Sequence, residues 1–491
     1  MQHSYVQLAK LLKLDIRRQR YQVGDRLPSV RLYAASQGVS VSTVMRCYRH
    51  LEGEGYVEIR AKSGMYVADW TAQQRARRTI DASIDAVSPP AVQYEQLASL
   101  QHRMTQLYVL TSQPLTLALH LATAAPQWYP CDAFARIGQR LLRRDPLAFG
   151  AYATGTGLLA LKTALIGHLA RCGVDFSPSD LLVTSGATEA LQIALRAVTR
   201  PGDTVAVESP VYFGILQMAE HLGLKVLEVP CIAGQGISLE ALEYALEQHG
   251  SVRAVVAMPS FQNPLGSGMS DAAKRRLLGI VERHDAALIE DDVFGDLAPT
   301  PERPRPVKAW DRTGRVIYCG SASKSMAPAT RVGWVVGGRY QRQLESLKLS
   351  NSLATPLFVQ AVLAEFMESG ALPSHLRKLR ERLAATVEPA TKAVLQHFPM
   401  GTRVGGPPGG WWLWIALPEA FDTMVLLHAA ARRGIAFTPG ALFSATGKFA
   451  NHLRLNVARP WDRELEHGIK TLGQLIKAHQ DRIPGGVVRF Q

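Results

Sequence analysis

Five short, mainly apolar runs separated by segments of helical periodicity restrict the larger part of this chain to one class of fold. The runs are at 181–183, 204–207, 254–257, 287–289 and 316–318. Strands that are apolar on both faces are typical of parallel sheets, because the helices that connect such strands cover both faces of the sheet. We therefore predict an α/β fold with a mainly parallel sheet beyond about residue 115.

The length and the apolar pattern limit the remaining possibilities. A chain of 491 residues is too long for one ordinary domain. It contains no run of about 18 uncharged apolar residues, and its first residues carry charges where a signal peptide needs an apolar stretch. We expect a cytoplasmic protein that has no contact with membranes.

The cysteines indicate neither a disulfide framework nor a metal site. They are five in number, lie far apart and form no CxxC pair. Disulfide-rich domains and zinc sites both need closely spaced cysteines, so we expect incidental thiols and no bound metal. The residues concerned are Cys47, Cys131, Cys172, Cys231 and Cys319.

The first part of the chain has the pattern of two short helices after a leading helix. Residues 5–16 place Leu8, Leu11 and Leu12 on one helical face. Ser29 is the expected N-cap of a second helix, which runs to Gln37 and stops at Gly38.

A third helix follows Ser40, with Val44, Tyr48 and Leu51 facing inward. Its outward side carries Ser42, Thr43, Arg46 and Arg49. A helix that exposes hydroxyls and arginines after a glycine-containing turn fits a helix-turn-helix whose second helix enters the DNA major groove.

A predicted hairpin completes this module and adds to its positive charge. Strands at 56–60 and 65–68 are joined by residues 61–64, a tip that includes Lys62 and Gly64 and suits contact with the DNA backbone. Residues 1–80 hold 14 Lys or Arg and six Asp or Glu, a net +8 out of +14 for the whole chain. This concentration favours double-stranded DNA as a partner.

The module resembles the GntR family of regulators in four motifs. They are DRLPSVR (25–31), GVSVSTV (38–44), LEGEGYVE (51–58) and SGMYVA (63–68). The resemblance implies DNA contacts from Arg31, Ser42, Thr43 and the wing around Lys62 and Gly64. Val41 stands where many relatives have an arginine, and Arg46 is a potential replacement. A winged helix used only for protein contacts is the alternative.

A lysine in the larger part has the surroundings of a pyridoxal-phosphate (PLP) site. Lys324 follows an apolar run ending at Tyr318, and Arg331 comes seven residues later. Small hydroxyl residues before the lysine and an arginine after it suit a Schiff base next to a phosphate group. We predict that Lys324 forms the aldimine with PLP.

Two further segments supply the other needs of PLP. The run 287–289 ends in Glu290-Asp291-Asp292, and at this edge of a parallel sheet Asp291 can keep the pyridine nitrogen protonated. Residues 184–189 follow a strand and open a helix, whose backbone amides can hold a phosphate. Without the lysine, a solvated turn and an ordinary capped helix would explain these two segments.

Together the segments resemble the fold type I aminotransferases, and the whole chain resembles the MocR subfamily of GntR regulators. This implies a PLP-dependent aminotransferase fold with a large, mainly parallel α/β domain and a small C-terminal α/β lobe. It also implies a homodimer. The implied cofactor contacts are Ala187, Thr188, Tyr212 (in ESPVYFG), Asn263 (in FQNPLG), Asp291, Ser321, Ser323, Lys324 and Arg331. Arg454 in LRLNVA would hold the carboxylate of an amino-acid-like ligand.

Two positions depart from the pattern of the aminotransferases. Phe294 stands where relatives commonly have a tyrosine that donates a hydrogen bond to the PLP phenolate oxygen. Tyr152 lies in GAYATGTG, where relatives have a run similar to YGDPxG. The missing hydrogen-bond donor at Phe294 puts proton transfer and turnover in question. Trp411, Trp412 and Trp414 alternate as in a strand, which favours core packing.

We divide the chain into a winged helix-turn-helix at 1–69, a linker at 70–114 and an aminotransferase-like domain at 115–485, with its small lobe from about 370. The favoured function is transcription regulation, in which an amino acid or amine effector is sensed through the Lys324 aldimine. The alternatives are an aminotransferase with an accessory DNA-binding domain and a scaffold with an inactive pocket.

Overall fold

The structure is a computed structural model. It describes residues 5–17, 20–22, 24–53, 56–60, 64–68, 98–146, 149–150, 153, 155–405, 410–418 and 421–480. Among these residues, no helix is long and apolar enough to cross a membrane.

The N-terminal module consists of three helices and a two-stranded hairpin: α1 (Tyr5–Arg17), α2 (Val30–Gln37), α3 (Val41–Gly53), β1 (Val57–Arg60) and β2 (Gly64–Val67). Ser29 caps α2 by accepting a hydrogen bond from the backbone of Leu32, and Gly38 ends it with a φ of 63°. Both caps confirm the prediction. The antiparallel hairpin pairs Val57 with Val67.

One small core holds this module together, and Leu11 of α1 lies outside this core. Val44, Tyr48 and Leu51 are fully buried, as expected. Leu8 and Leu12 are buried as well, but Leu11 is 48% exposed. The buried stripe of α1 follows a spacing of four residues, and Leu11 lies about 60° away from Leu8 around a helix of 3.6 residues per turn. The three leucines share one helical face, as predicted, and Leu11 lies at the exposed edge of that face.

The large domain is built on an eight-stranded sheet in the order β4-β11-β10-β9-β8-β5-β6-β7. Every predicted apolar run forms one of its strands, and the pairs β10-β9, β9-β8, β8-β5 and β5-β6 are parallel. Only β11 and β7 run against their neighbours. The strands are β4 (Leu181–Thr184), β5 (Thr204–Ser209), β6 (Lys225–Ile232), β7 (Gly236–Ile237), β8 (Val252–Ala257), β9 (Ala287–Asp291), β10 (Val316–Ser321) and β11 (Gly333–Val336).

Helices cover both faces of this sheet and complete the predicted α/β class. They are α5 (Cys131–Arg144), α6 (Leu159–Leu169), α7 (Ala187–Val198), α8 (Phe213–His221), α9 (Leu239–Gln248), α10 (Asp271–Arg283), α11 (Gln341–Ser352) and α12 (Leu357–Glu368). Because the parallel strands end at one edge, side chains that follow β5, β9 and β10 meet there.

A smaller lobe follows, with an antiparallel sheet in the order β12-β13-β16-β15. Its elements are α13 (Leu372–His397), β12 (Arg403–Gly405), β13 (Trp412–Ala416), α14 (Thr423–Ala431), β14 (Ile435–Ala436), β15 (Thr438–Pro439), β16 (His452–Asn456) and α15 (Arg463–Gln480). A short strand β3 (Leu117–Ala118) pairs with β14. Trp411, Trp412 and Trp414 are buried in the core, as predicted.

Part of the predicted linker is folded. Residues Ala98–Thr111 form helix α4. Its side chains Leu100, Met104 and Leu107 are buried in the main hydrophobic core. Their spacing of three and four residues gives α4 one apolar face, which the core covers. Helix α4 thus falls within the linker predicted at 70–114, and the predicted domain boundaries at 69, 114 and about 370 stay predictions.

Candidate functional site

A cavity of about 320 Å³ opens where the parallel strands β5, β9 and β10 end. It is lined by nine predicted cofactor and ligand residues that came from distant parts of the sequence. These are Ala187, Thr188, Tyr212, Asn263, Asp291, Ser321, Ser323, Lys324 and Arg331. Arg454, from β16 of the smaller lobe, also lines it.

Lys324 presents its amine inside this cavity. Its Nζ donates a hydrogen bond of 2.7 Å to the backbone carbonyl of Ala122. Burial and the charge of Arg454 lower the pKa of Lys324 to about 8, although the nearby Asp291 carboxylate acts in the opposite direction. A primary amine must lose its proton to attack a carbonyl carbon, so this environment brings a reactive amine into the neutral range.

Asp291 lies at the end of β9 and is 3% exposed. Burial and the neighbouring carboxylate of Asp292 raise the pKa of Asp291 to about 7, against the opposing charge of Lys324. Its Oδ1 has no hydrogen-bond partner among the described residues. A buried carboxylate oxygen without a donor is costly, and the protonated nitrogen of a pyridine ring would satisfy it.

A phosphate cradle is formed by the start of α7 and the loop after β10. The Nη1 of Arg331 donates to Ser323 Oγ at 3.1 Å. Gly186 precedes α7, and a Cβ at this position would lie 2.6 Å from Arg331 Nη2. Only glycine lets the guanidinium approach the first amides of α7, at Ala187 and Thr188. Positive charge, hydroxyls and free helix amides together suit a phosphate group.

The residues present therefore fit PLP. They supply a lysine amine, an unpartnered buried carboxylate and an anion cradle. Tyr212 provides an aromatic side chain, and Gly214 leaves room for its ring, because a Cβ there would lie 2.5 Å from it.

Arg454 is a buried cation with neutral partners. It is 1% exposed. Its guanidinium donates to Asn263 Oδ1 at 2.9 Å, to the His120 carbonyl at 2.8 Å and to Thr438 Oγ1 at 3.1 Å. Burial lowers the pKa of Arg454 to about 10. Among the described residues no carboxylate pairs with it, so its charge is available to an anionic ligand.

Phe294 lies at the cavity wall with no hydroxyl to donate. Its ring packs against Trp411 and Trp412, with ring centroids 5.3 and 4.8 Å apart. The Lys324 Nζ is 5.8 Å from the centre of the Phe294 ring. The sequence departure at this position is thus accommodated by aromatic packing. Tyr152, the second departure, lies outside the described residues.

Several cavity residues were missed by the sequence analysis. Helix α4 contributes Met104, Leu107, Tyr108 and Thr111, and the segment after β3 contributes His120. The apolar spacing within 100–107 was the available signal, but the polar composition around it favoured a linker. The position of His120 depends on the pairing of β3 with β14, which no local pattern reveals.

The predicted DNA-binding residues occupy the outer side of the N-terminal module. Arg31 and Ser42 are exposed. The hydroxyl oxygens of Ser42 and Thr43 each lie 2.8 Å from the hydroxyl oxygen of Ser40. Gly64 begins β2 with a φ of 123°. Lys62 lies outside the described residues.

Arg46, one turn after Ser42 on α3, contacts the large domain. Its Nη2 donates to the carbonyl of Glu368 at 2.6 Å, and Arg49 Nη1 donates to the carbonyl of Ser369 at 2.9 Å. Both carbonyls lie at the junction between α12 and α13. We call this contact the docking face. The predicted DNA contact of Arg46 stays a prediction.

A buried ionic cluster connects the edge of the cavity with the surroundings of the docking face. Asp292, next to Asp291, accepts from Arg303 Nη2 at 2.8 Å. Arg303 Nε and His168 Nε2 both lie 2.8 Å from Asp296 Oδ1. Burial opposes ionisation of Asp296, but His168 and Arg303 together hold its pKa well below the usual range.

The cluster ends beside the N-terminal module. His168 belongs to α6, and soon after it Arg171 donates a hydrogen bond of 2.9 Å to the Tyr5 hydroxyl of α1. Polar contacts therefore extend from Asp292, next to the cavity residue Asp291, to His168 on α6. A separate hydrogen bond, from Arg171 three residues later, reaches the N-terminal module.

Comparison with known proteins matches both parts of the chain to families. Residues 4–67 match the bacterial regulatory proteins of the gntR family, and residues 125–472 match aminotransferase class I and II. The HTH-type transcriptional regulator YjiR of Escherichia coli is 35% identical over 96% of this chain and 98% of its own. The probable rhizopine catabolism regulatory protein MocR of Rhizobium meliloti is 31% identical over 88% of this chain and 85% of its own.

A solved structure resembles the larger part. The α-aminoadipate aminotransferase LysN of Thermus thermophilus, in complex with N-(5'-phosphopyridoxyl)-L-leucine, has a TM-score of 0.71 and 27% identity. The match covers 78% of this chain and 98% of that one.

Proposed function

Because the chain belongs to the family of regulators that join a GntR-type helix-turn-helix to a class I and II aminotransferase domain, we propose that its PLP pocket senses an amino acid or amine effector at Lys324 and thereby controls DNA binding. The observation that carries this proposal is the meeting of Lys324, Asp291 and Arg454 in one cavity. The family indicates PLP as the cofactor.

In this proposal the PLP is held by Lys324, by the cradle around Arg331 and by Asp291. When bound, PLP supplies an electrophilic carbon that exchanges one primary amine for another. Lys324 provides the amine that an effector displaces, and Asp291 holds a proton at the pyridine nitrogen. Arg454 attracts the effector's carboxylate. Its lack of an acidic partner among the described residues supports this role. The ligand in the LysN complex is itself an adduct of PLP with an amino acid.

Regulation requires that the effector favours one arrangement of the DNA-binding module, and couplings of about 1–3 kcal/mol are ordinary. Two features support such a coupling. The docking face attaches α3 to the junction of α12 and α13. The ionic cluster extends from Asp292 to His168, close to α1.

We propose DNA contacts from Arg31, Ser42, Thr43 and the wing around Lys62 and Gly64. The exposed N-terminal turn of α3 supports this set, since that end of a recognition helix reads base edges. Such a regulator acts in the cytoplasm, where its DNA is.

We also propose a homodimer. A cavity of about 1240 Å³ is lined mainly by apolar side chains, among them Phe134 and Leu142 of α5 and Phe358 and Val362 of α12. A second copy would cover this apolar surface, and a two-fold axis would suit paired half-sites on DNA. Sedimentation would measure the oligomeric state of the wild type and of a Phe358→Glu variant. A wild type that sediments as a monomer would contradict the proposed homodimer.

One experiment tests the central proposal. The PLP-loaded full chain is titrated with amino acids and amines while its visible absorbance is recorded, and the fluorescence anisotropy of labelled DNA is followed in the same samples. We expect an absorbance shift and a change in DNA affinity at the same effector concentration. A shift without any change in DNA affinity would contradict regulation. Steady conversion of the amino acid to its keto acid, after a second keto acid is added as the amino acceptor, would favour an aminotransferase.

A further inference from the structure

We propose that the effector is an α-amino acid with an apolar side chain of leucine or phenylalanine type, and that helix α4 forms the wall that recognises this side chain. This inference rests on the proposed function, because it concerns the ligand of the same cavity. It goes further by naming the class of ligand and the element that selects it.

The charged groups of the cavity already have roles in the proposed function. Among the described residues its lining includes four charged side chains, namely Lys324, Asp291, Arg331 and Arg454. Three of them serve PLP, and Arg454 is left for one carboxylate. A ligand with a second carboxylate, or with a side-chain ammonium group, finds no further charge of opposite sign there. Burying an unpaired charge is strongly unfavourable.

The rest of the lining is mainly apolar, and α4 contributes four residues to it. Met104 and Leu107 are 1% and 4% exposed and pack into the core, so their position is fixed by the fold. Tyr108 lines the same cavity but is 57% exposed. Leu121 and Phe213 add to this wall from outside α4. Such a surface gains free energy by covering an apolar side chain.

His120 does not supply the missing charge. Burial and the nearby charge of Arg454 lower the pKa of His120 to about 4, so the imidazole is neutral near pH 7. Its Nδ1 is buried and has no partner among the described residues. A neutral imidazole next to an apolar wall can accept or donate one hydrogen bond, but it cannot balance a carboxylate.

Helix α4 also has a distinctive place in the chain. It is the first described element after the DNA-binding module, since β2 ends at Val67 and α4 begins at Ala98. A ligand that packs on α4 therefore contacts the segment through which the chain reaches that module. Recognition of the side chain and transmission of the signal would use the same helix.

The test is a calorimetric titration of the PLP-loaded full chain, with visible absorbance recorded in parallel. The probes are L-leucine, L-phenylalanine, L-glutamate and L-lysine. We expect apparent Kd values for leucine or phenylalanine that are about tenfold or more below those for glutamate and lysine, as a difference of about 1.4 kcal/mol would give.

Two variants on neighbouring residues of α4 sharpen the test. Tyr108→Arg places a cation on the cavity wall, and Tyr108 is exposed enough to be replaced without disturbing the core. Val109→Arg is the matched control, because Val109 is 58% exposed and does not line the cavity. We expect glutamate to bind several-fold more tightly to Tyr108→Arg than to the wild type, with no such gain in Val109→Arg.

The outcomes separate the two proposals. If glutamate or lysine binds the wild type as tightly as leucine and phenylalanine, the inference about the effector class is wrong and the proposed function stands. If both variants respond alike, α4 is not the selecting wall. If no amino acid produces heat or an absorbance shift, the proposed function fails together with the inference.

Discussion

Replacing Arg454 by glutamine should remove the protein's ability to distinguish an amino acid from the matching amine. Arg454 is 1% exposed, and its partners Asn263, the His120 carbonyl and Thr438 are all neutral. Its charge is therefore uncompensated until a carboxylate arrives. Glutamine is long enough to keep some of these hydrogen bonds but carries no charge.

The expected loss of ligand preference in Arg454→Gln follows from the burial of Arg454. Hydrogen bonds to charged groups contribute about 1.5–3 kcal/mol each, and truncating one partner of a buried charge pair costs about 2–5 kcal/mol. A loss of about 3 kcal/mol corresponds to roughly 150-fold in Kd. We expect the wild type to prefer L-leucine over isopentylamine, its decarboxylated analogue, by about this factor, and the variant to lose most of the preference.

The assay compares two ligands on two proteins. The apparent Kd of each ligand is taken from the visible absorbance of the PLP-loaded protein, and the ratio between ligands is compared between variants. Arg459→Gln is a matched control, because Arg459 lies outside the cavity that holds Lys324. If Arg454→Gln kept the wild-type ratio, Arg454 would not bind the carboxylate and the reasoning from its neutral partners would be refuted.

Three further predictions concern other parts of the site. Lys324→Ala should abolish the visible band of protein-bound PLP with an unchanged circular dichroism spectrum, whereas Lys470→Ala should leave both unchanged; a persisting band would show that another residue holds PLP. The rate at which cofactor-free protein takes up PLP should rise as the pH increases through about 8, because the lowered pKa of Lys324 sets the fraction of neutral amine; a flat pH profile would contradict this assignment. Arg31→Ala should weaken DNA binding, measured by anisotropy, more than Arg46→Ala does. Arg46→Ala should instead increase amide hydrogen exchange at the docking face. A larger loss of DNA affinity in Arg46→Ala than in Arg31→Ala would support a DNA contact of Arg46.

The parallel sheet and its edge could be predicted from the sequence because they depend on local signals. Apolar runs define buried strands, and chemistry placed directly after a strand must lie at the sheet edge. Asp291 and Lys324 were found in this way, and the structure brings them into one cavity. Arg454 reached the same cavity through the pairing of β13, β15 and β16, and only the family resemblance pointed to it.

The remaining features depend on tertiary contacts that local patterns do not encode. Helix α4 was hidden by polar neighbours, although Leu100, Met104 and Leu107 have helical spacing. Leu11 has the same apolar character as Leu8 and Leu12, but it is 48% exposed, whereas the other two leucines are buried. The direction of Arg46 is decided by the large domain, whose carbonyl at Glu368 is more than 300 residues away in sequence.

The use of different turns of α3 has a consequence for how such proteins diversify. Ser42 and Thr43 lie in the first turn of α3, whereas Arg46 and Arg49 lie about 6 and 10 Å further along the helix axis than Ser42. Substitutions in the first turn of α3 can therefore change the preferred base sequence while the docking face stays intact. A chimera with the DNA preference of a relative would therefore take only the first turn of α3 from that relative and keep Arg46 and Arg49. A chimera that lost these two arginines would bind the new DNA sequence but lose its response to the effector.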